Sequence, residues 1–131
     1  MTTEVEYLDL DDLIYLAGEL LGTPPPIRDV GLLSSAAARP RTTVMGVDAY
    51  PEIWEKAAAL LQSLVKSHAL VDGNKRLGWL ATAVFLEING VDVTSIPNDE
   101  VYRFVIDVAA GHQDIGEVAA DLHGIVDKRS S

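Results

Sequence analysis

The chain has 131 residues, of which 48% are hydrophobic, and it contains no cysteine. This length suffices for one ordinary hydrophobic core and is short for two, so we expect one domain over residues 1–131. Without cysteine neither a disulfide nor a thiolate metal site can form, which fits a reducing compartment, and we expect the cytoplasm. The opening MTTEVEYLDLDD is acidic where a secretory signal is basic, and no apolar run approaches a membrane span, so we expect no membrane association.

The charge is strongly negative and unevenly distributed. Ten basic and twenty acidic side chains give a net charge of −10, which repels nucleic-acid phosphates, so we expect no direct nucleic-acid partner. Residues 28–76 nevertheless hold seven basic and five acidic side chains, for a net charge of +2. A few donors in a pocket of an anionic protein suit a small, highly charged anion better than a long polyanion. Chance clustering of the basic residues is the alternative.

Apolar residues at helical spacing predict a first helix from Leu10 to Leu21, capped by Asp9 or Asp11 and ended by Gly22. The TPPP stretch that follows cannot continue a helix, because consecutive prolines lack amide donors.

A short helix is predicted around residues 30–38, closed by Pro40. Residues 39–49 contain β-branched residues without helical periodicity, which indicates a loop or small hairpin.

A third helix is expected to open at Tyr50 and Pro51, because proline is tolerated in the first turn of a helix. Its apolar stripe continues to His68, which the pattern therefore places near the helix C-terminus, and Asp72 and Gly73 are expected to end it. The stripe consists of Ile53, Ala57, Leu60, Leu61 and Leu64.

Three more helices complete the prediction. They run from Asn74 to about Asn89, from a cap at Asn98 or Asp99 to about Ala110, and from a cap at Asp114 to about Val126, after which the KRSS tail should fray. The sequence thus predicts an all-α, compact six-helix bundle, with a core over about residues 7–126 and a small flap loop or hairpin.

The stretch HALVDGNKR, at 68–76, places an anion site at the start of the fourth helix. Free amides and the helix dipole attract anions there, and Gly73 allows close backbone approach. Lys75 adds a point charge and Arg76 a bidentate donor, a pair suited to phosphate oxygens. Cations at a helix start cost a few tenths of a kcal/mol each, which favours a bound anion over a solvated first turn.

Two further side chains of this stretch suggest chemistry. His68 is a candidate base for a hydroxyl that attacks phosphorus, and Asp72 can hold a divalent cation such as Mg²⁺ beside the phosphates. Each residue alone also has a structural explanation, as a helix-end histidine, a cap or a turn residue. Their combination in one short loop is difficult to explain by capping alone.

This stretch resembles the signature of the Fic/Doc superfamily, His-x-Phe-x-Asp/Glu-Gly-Asn-x-Arg. The Doc (death-on-curing) branch is the closer match, because Lys75 precedes the arginine. Residues 27–40, 50–61 and 85–93 also have sequences similar to the family, so that the resemblance extends from Tyr7 to about Leu122. The matching positions are His68, Leu70, Asp72, Gly73, Asn74 and Arg76.

The resemblance implies a six-helix fold and a role for each matching residue. His68 would deprotonate a target hydroxyl, Asp72 would bind Mg²⁺, and Leu70, in place of the family phenylalanine, would anchor the loop in the core. The phosphate-binding residues would be Gly73, Asn74, Lys75 and Arg76.

The residue at position 79 bears on the reaction. Fic adenylyltransferases carry a second arginine there, whereas this chain has Trp79. Doc-type proteins also lack that second arginine. The resemblance therefore implies a Doc-type toxin that acts as a kinase and transfers the γ-phosphoryl group of Mg-ATP to a Ser or Thr of a host translation factor. In the family this factor is elongation factor Tu, and its modification blocks translation. AMP transfer to a protein hydroxyl and a catalytically inactive protein-binding module are the alternatives.

Two kinds of partner contact follow from the resemblance. Residues 39–49 correspond to the family flap, where Thr42, Thr43 and Val44 would pair with an extended target segment, unless they form only a solvated loop. Lys66 would face the nucleotide or remain an exposed helix cation. The chain lacks the inhibitory Ser/Thr-x-x-x-Glu-Gly/Asn pattern of some Fic proteins, which implies a cognate antitoxin whose disordered segment folds as a helix on this domain.

Overall fold

The computed structural model describes residues 4–130, and the side chains as far as residue 127. Within this range the chain forms six helices and one hairpin, which confirms the predicted all-α class with a small hairpin. A 3₁₀ turn (Arg39–Arg41) leads into the antiparallel strands β1 (Thr43–Val44) and β2 (Val47–Asp48). The helices are α1 (Leu10–Leu21), α2 (Val30–Ala38), α3 (Ile53–Lys66), α4 (Asn74–Ile88), α5 (Asn98–Ala110) and α6 (Ile115–Ser130).

Helix α3 lies at the centre of the bundle. It packs most extensively against α4 and α6 and also contacts α2 and α5. Its residues 56–61 are all buried, so the helix is covered on every side over that stretch. All six helices of the described range contribute side chains to a common core cluster. The C-terminus of α3 and the loop after it are therefore held by packing on several neighbours.

The first two helices have the predicted bounds. Asp9 and Asp12 form a capping box at the start of α1, in which each carboxylate accepts a hydrogen bond of 2.9 Å from the other residue's amide. Asp29 caps α2 by accepting from the amide of Leu32 at 3.1 Å. The choice left open between Asp9 and Asp11 is thereby decided for Asp9.

Both predicted ends of the third helix are wrong. Helix α3 begins at Ile53 and not at Pro51, because Glu52 and Glu55 form a capping box, with Glu52 N–H donating to Glu55 Oε1 at 3.1 Å. It ends at Lys66, well before Asp72. His68 lies beyond the helix in a left-handed conformation with φ of 55°, although its spacing matches the apolar stripe.

The last two helices exist as predicted, with differences at their ends. Pro97 occupies the cap position of α5, so that the predicted cap by Asn98 or Asp99 is wrong. Asp114 does cap α6, where its carboxylate accepts from the amide of Glu117 at 2.9 Å. The α6 backbone continues to Ser130, past the predicted end at Val126 and through most of the tail that was expected to fray.

The connector between α4 and α5 contains a local turn in which Asp92 accepts hydrogen bonds from the hydroxyl and amide of Thr94, at 2.6 and 2.9 Å. These bonds stabilise the ionised form and lower the pKa of the Asp92 carboxyl. Residue 131 lies outside the described residues. Among the helices described, none has the length and apolar character needed to cross a membrane.

Candidate active site

The loop between α3 and α4 is fixed by the segment that precedes α2. Arg28 donates from Nε and Nη2 to the carbonyl of His68, at 2.9 and 2.5 Å. The carbonyl of Ala69 accepts from the amides of Arg28 and Asp29, at 2.8 and 3.0 Å. The backbone of His68 is thus held while its side chain stays exposed to solvent.

Leu70 secures the middle of this loop. Its side chain is 1% exposed and belongs to the core cluster, and its backbone forms an antiparallel bridge with Ile27. The side chain of Asn74 binds the same residue twice, because Asn74 Oδ1 accepts from Leu70 N–H and Nδ2 donates to the Leu70 carbonyl, both at 3.0 Å. The amide group of Asn74 is occupied by these bonds, so what this residue offers to an anion is its backbone N–H.

Gly73 forms the cap of α4 in a left-handed conformation with φ of 87°. The backbone conformation favours glycine, and a Cβ at this position would lie 2.7 Å from Leu21 Cδ1, so that the Leu21 side chain would have to shift. The amides of Asn74, Lys75 and Arg76 follow. Within the described chain none of these three amides has a hydrogen-bond acceptor, and they form a free helix N-terminus.

Three charged side chains surround this helix start. Lys75 and Arg76 are exposed, as is Asp72. Arg76 Nη2 lies 4.0 Å from Asp72 Oδ2, at the limit of an ion pair, and exposed pairs of this kind contribute little. The cations therefore remain available to an anion and Asp72 to a cation.

A cavity of about 700 Å³ opens over this loop and brings most of the predicted site residues together. Its wall from the loop and α4 includes the residues His68, Asp72, Gly73, Asn74, Lys75 and Arg76. Trp79, one turn further along α4, also lines it and packs edge-on against Phe104 of α5, with ring centroids 6.5 Å apart. The indole of Trp79 thus gives the cavity a flat, partly apolar wall next to the start of α4.

The opposite wall of the cavity belongs to α5 and was missed from the sequence. Tyr102 is 68% exposed and stands at this wall. The only sequence pattern that points to it is the spacing of neighbours on one helix face, which predicts packing and not a ligand wall. The α5 residues that line the cavity are Asn98, Val101, Tyr102, Val105 and Ile106.

Arg28 was also missed as part of the site. Its contact with the His68 carbonyl joins residues 40 positions apart, and no local pattern indicates it. In the sequence it counted only as one cation of the basic segment. Its position shows that a cation of this segment orders the backbone of the candidate base.

The predicted flap residues lie elsewhere. Thr43 and Val44 form β1, and Thr42 stands at the base of the hairpin. None of them lines the large cavity. Thr42 lines a smaller groove of about 440 Å³ that also includes Ser67, the residue before His68.

Lys66 likewise lies outside the large cavity. Its Nζ donates a hydrogen bond to the carbonyl of Gly111, at the end of α5. Lys66 is exposed, and it also lines a smaller groove of about 420 Å³ together with His68 and Lys75, so its position is compatible with both predicted roles.

A magnesium ion fits the donors of this site. The described residues contain no cluster of three His, Asp or Glu side chains that could hold a metal by themselves. Asp72 supplies one exposed carboxylate beside the free amides of α4. Mg²⁺ usually keeps several waters and binds through one or two carboxylates plus substrate phosphates, so one carboxylate next to an anion site is sufficient.

Comparison with known proteins agrees with this arrangement. Residues 7–86 match the Fic/DOC family. Over 120 residues the chain is 48% identical to a protein of Mycolicibacterium smegmatis named Toxin Doc, covering 91% of this chain and 92% of that protein. The matched region includes the whole α3–α4 loop and most of the cavity wall formed by α4. The chain belongs to the Fic/DOC family, in its Doc toxin branch.

Proposed function

We propose that this chain is a Doc-type toxin of a toxin-antitoxin system, acting as a protein kinase that transfers the γ-phosphoryl group of ATP to a Ser or Thr of a translation factor. Fic/Doc proteins generally transfer a phosphate or a nucleotide to other proteins, which makes the chain a transferase by family. The observation that carries the proposal is that the exposed imidazole of His68 and the free amides of α4 line one cavity.

His68 acts as the general base in this proposal. Its imidazole takes the proton of the acceptor hydroxyl as the oxygen forms a bond to the γ-phosphorus and the bond to the β-phosphate oxygen breaks. Arg28 and the Ala69 carbonyl contacts fix the backbone behind the ring, so the base is positioned before the acceptor arrives.

The start of α4 holds the phosphates. The amides of residues 74–76 bind phosphate oxygens, and Lys75 and Arg76 offset the negative charge that the transferring group carries. Asp72 would hold Mg²⁺, which when bound would supply positive charge that neutralises the phosphates. The left-handed Gly73 forms the turn after which these free amides begin, at the edge of the cavity.

Trp79 supports phosphoryl transfer over AMP transfer. An adenylyltransferase needs cations that hold the α-phosphate and the leaving diphosphate, whereas here an indole packed on Phe104 forms the wall at that position. AMP transfer remains the runner-up reaction, since the base and the anion site would serve it equally. The two reactions differ in the mass they add to the acceptor.

The remaining parts of the proposal concern partners. The hairpin would receive an extended segment of the acceptor through Thr42, Thr43 and Val44. Elongation factor Tu is the acceptor proposed, with arrest of translation in the cytoplasm as the result. A cognate antitoxin would inhibit the toxin in trans through a segment that folds as a helix upon binding.

The test is mass spectrometry of elongation factor Tu after incubation with this protein, Mg²⁺ and ATP. His68→Ala is the matched variant, because His68 is exposed and its loss should leave the fold intact. We expect a mass gain of one phosphoryl group with the wild type and a loss of at least about a hundredfold in rate with His68→Ala.

Other outcomes would change the proposal in defined ways. A gain of one nucleotide monophosphate would establish AMP transfer. Full activity of His68→Ala would remove the assigned base. Binding of Mg-ATP without any transfer would exclude this acceptor, and absence of binding would favour the inactive protein-binding module.

A further inference from the structure

A lysine is buried at the first turn of the central helix. Lys56 is 1% exposed and lies at the opposite end of α3 from the candidate site. Its Nζ donates to the carbonyl of Tyr50 at 2.5 Å and to Asp48 Oδ2 at 3.3 Å. Removing an ammonium group from water is unfavourable unless hydrogen-bond partners compensate, so the burial of this charge needs an explanation.

Both partners of Lys56 lie at the end of the hairpin. Asp48 is the last residue of β2 and Tyr50 follows two residues later. The ammonium group also lies 5.8 Å from the centroid of the Tyr7 ring, whose face favours a cation. The buried charge therefore connects α3 directly to the second strand of the hairpin.

Few other side chains hold the hairpin, apart from Arg41 before β1, whose guanidinium lies over the Tyr7 ring at 4.7 Å from its centroid. Residues 41–48 are all exposed, and Met45 at the tip is 98% exposed. Each strand has two residues, and an isolated two-stranded hairpin is marginally stable in water. Its orientation must be set by contacts at its base and not by packing of its own side chains.

Each strand is attached at its base through a cation, and Arg39 on the β1 side also reaches the β2 side, where its Nε donates to the Tyr50 hydroxyl at 3.3 Å. On the side of β1, the amide and hydroxyl of Thr42 donate to the Arg39 carbonyl, at 3.1 and 2.7 Å. Arg39 in turn binds Gln62 and Ser63 of α3, at 2.9 and 3.0 Å. On the side of β2, Lys56 makes the corresponding attachment to the same helix.

We propose that Lys56 is a positioning residue of the transfer reaction: its buried ammonium fixes β2, and so holds the hairpin in the orientation that receives the acceptor segment. This inference rests on the proposed function for the role of the hairpin. Lys56 acts on the acceptor through Asp48 and the Tyr50 carbonyl and has no contact with the nucleotide cavity.

Hydrogen exchange tests the attachment without requiring any activity. Lys56→Met keeps an unbranched apolar side chain, one atom shorter than lysine, and removes the charge, and Asp48→Asn weakens the same pair from its exposed side. We expect amides of residues 42–50, including Ala49, which donates to the Thr42 carbonyl, to exchange about tenfold faster in Lys56→Met while α4 stays protected.

A matched control and a rescue separate charge from general destabilisation. Arg103→Met removes an exposed cation paired with Asp99 at 3.2 Å and should leave hairpin exchange unchanged. The chain contains no cysteine, so Lys56→Cys creates a single thiol. Alkylating it with 2-bromoethylamine in the unfolded state restores an ammonium of similar reach after refolding, and slow hairpin exchange should return.

The kinetic readout uses elongation factor Tu and ATP as substrates. We expect Lys56→Met to raise the KM for the acceptor about tenfold, with kcat and the KM for ATP nearly unchanged, because only the positioning of the hairpin that binds the acceptor is lost.

Unchanged hairpin exchange in the folded Lys56→Met and Asp48→Asn variants would overturn the attachment. A loosened hairpin with an unaltered acceptor KM would overturn the positioning role. If the wild type does not modify this acceptor, the proposed function fails, while the exchange experiment still decides whether Lys56 fixes the hairpin.

Discussion

His68 holds a backbone conformation that is unfavourable for a residue with a Cβ. The left-handed region costs such a residue about 1–2 kcal/mol. A hydrogen bond to a charged group contributes about 1.5–3 kcal/mol when shielded and less when exposed, and Arg28 makes two of them to the His68 carbonyl. The neighbouring Ala69 carbonyl adds two backbone bonds. These contacts together are large enough to keep the chain in a conformation that turns the imidazole out of α3 and toward the cavity.

Gly73 also has an unfavourable backbone conformation for any residue with a Cβ. Gly73→Ala should destabilise the fold by about 1–3 kcal/mol, because alanine resists the positive φ and its Cβ would press on the Leu21 side chain. Urea unfolding measures the change. Gly124→Ala is the matched control, since a Cβ there meets nothing within 4 Å in the middle of α6, and it should stabilise by up to about 1 kcal/mol. Equal effects of the two substitutions would contradict the strain assigned to Gly73.

Helix α4 has an asparagine at each end that binds another segment by two reciprocal hydrogen bonds. Asn74 binds the partly buried backbone of Leu70, at 3.0 Å for both bonds. Asn89 binds the exposed backbone of Glu6, at 2.9 Å for both bonds. The same side-chain chemistry thus attaches the candidate active-site loop at one end and the N-terminal segment at the other. Asn89 Nδ2 also donates to the partly buried carbonyl of Phe85 at 2.7 Å. Water can therefore replace the two Glu6 bonds more easily than the bonds of Asn74, but not the bond to Phe85.

Alanine substitutions at these two positions should therefore differ. Asn74→Ala leaves the Leu70 N–H and carbonyl unpaired, and we expect a loss of about 2 kcal/mol in the free energy of unfolding together with weakened Mg-ATP binding. Asn89→Ala should cost about 1 kcal/mol, because only its bond to the Phe85 carbonyl is partly buried, and should leave Mg-ATP binding unchanged. Urea unfolding and calorimetric titration provide the two measurements. Normal Mg-ATP binding by a folded Asn74→Ala variant would show that the loop keeps its shape without this contact.

The elements also show where prediction from sequence succeeds. The bounds of α1 and α2 were predicted correctly because the residues that set them are local: Asp9 caps α1 and Gly22 ends it, and Pro40 follows the end of α2. The end of α3 could not be predicted, since the apolar period continues to His68 and the helix is broken by contacts with Arg28, 40 residues away. The motif residues were found by their chemistry, whereas Tyr102 joins the cavity only through packing of α5 against α4.

On the scale of the whole molecule, the site is a cationic loop in a strongly anionic protein. The net charge of −10 repels polyanions, whereas a compact phosphate group within the cavity interacts mainly with the nearest charges. The free amides of α4 belong to the backbone and require a folded helix, as does the orientation of His68. The proposed binding of Mg-ATP would therefore be linked to folding of the bundle, since the unfolded chain lacks the site.

This linkage gives the last prediction. Mg-ATP at a hundred times its Kd should stabilise the fold by about 2.7 kcal/mol, measured as a shift of the urea midpoint at a fixed ligand concentration. His68→Ala should retain the shift, because the imidazole is proposed to take a proton and not to hold the phosphates. The double variant Lys75→Ala, Arg76→Ala should lose most of it, and so should removal of Mg²⁺ by a chelator. The matched variant Arg103→Ala should keep the shift, since Arg103 lies outside the cavity and pairs with Asp99 at 3.2 Å. An equal loss in Arg103→Ala would mean that general positive charge attracts ATP, and no shift in the wild type would remove the nucleotide from the proposal.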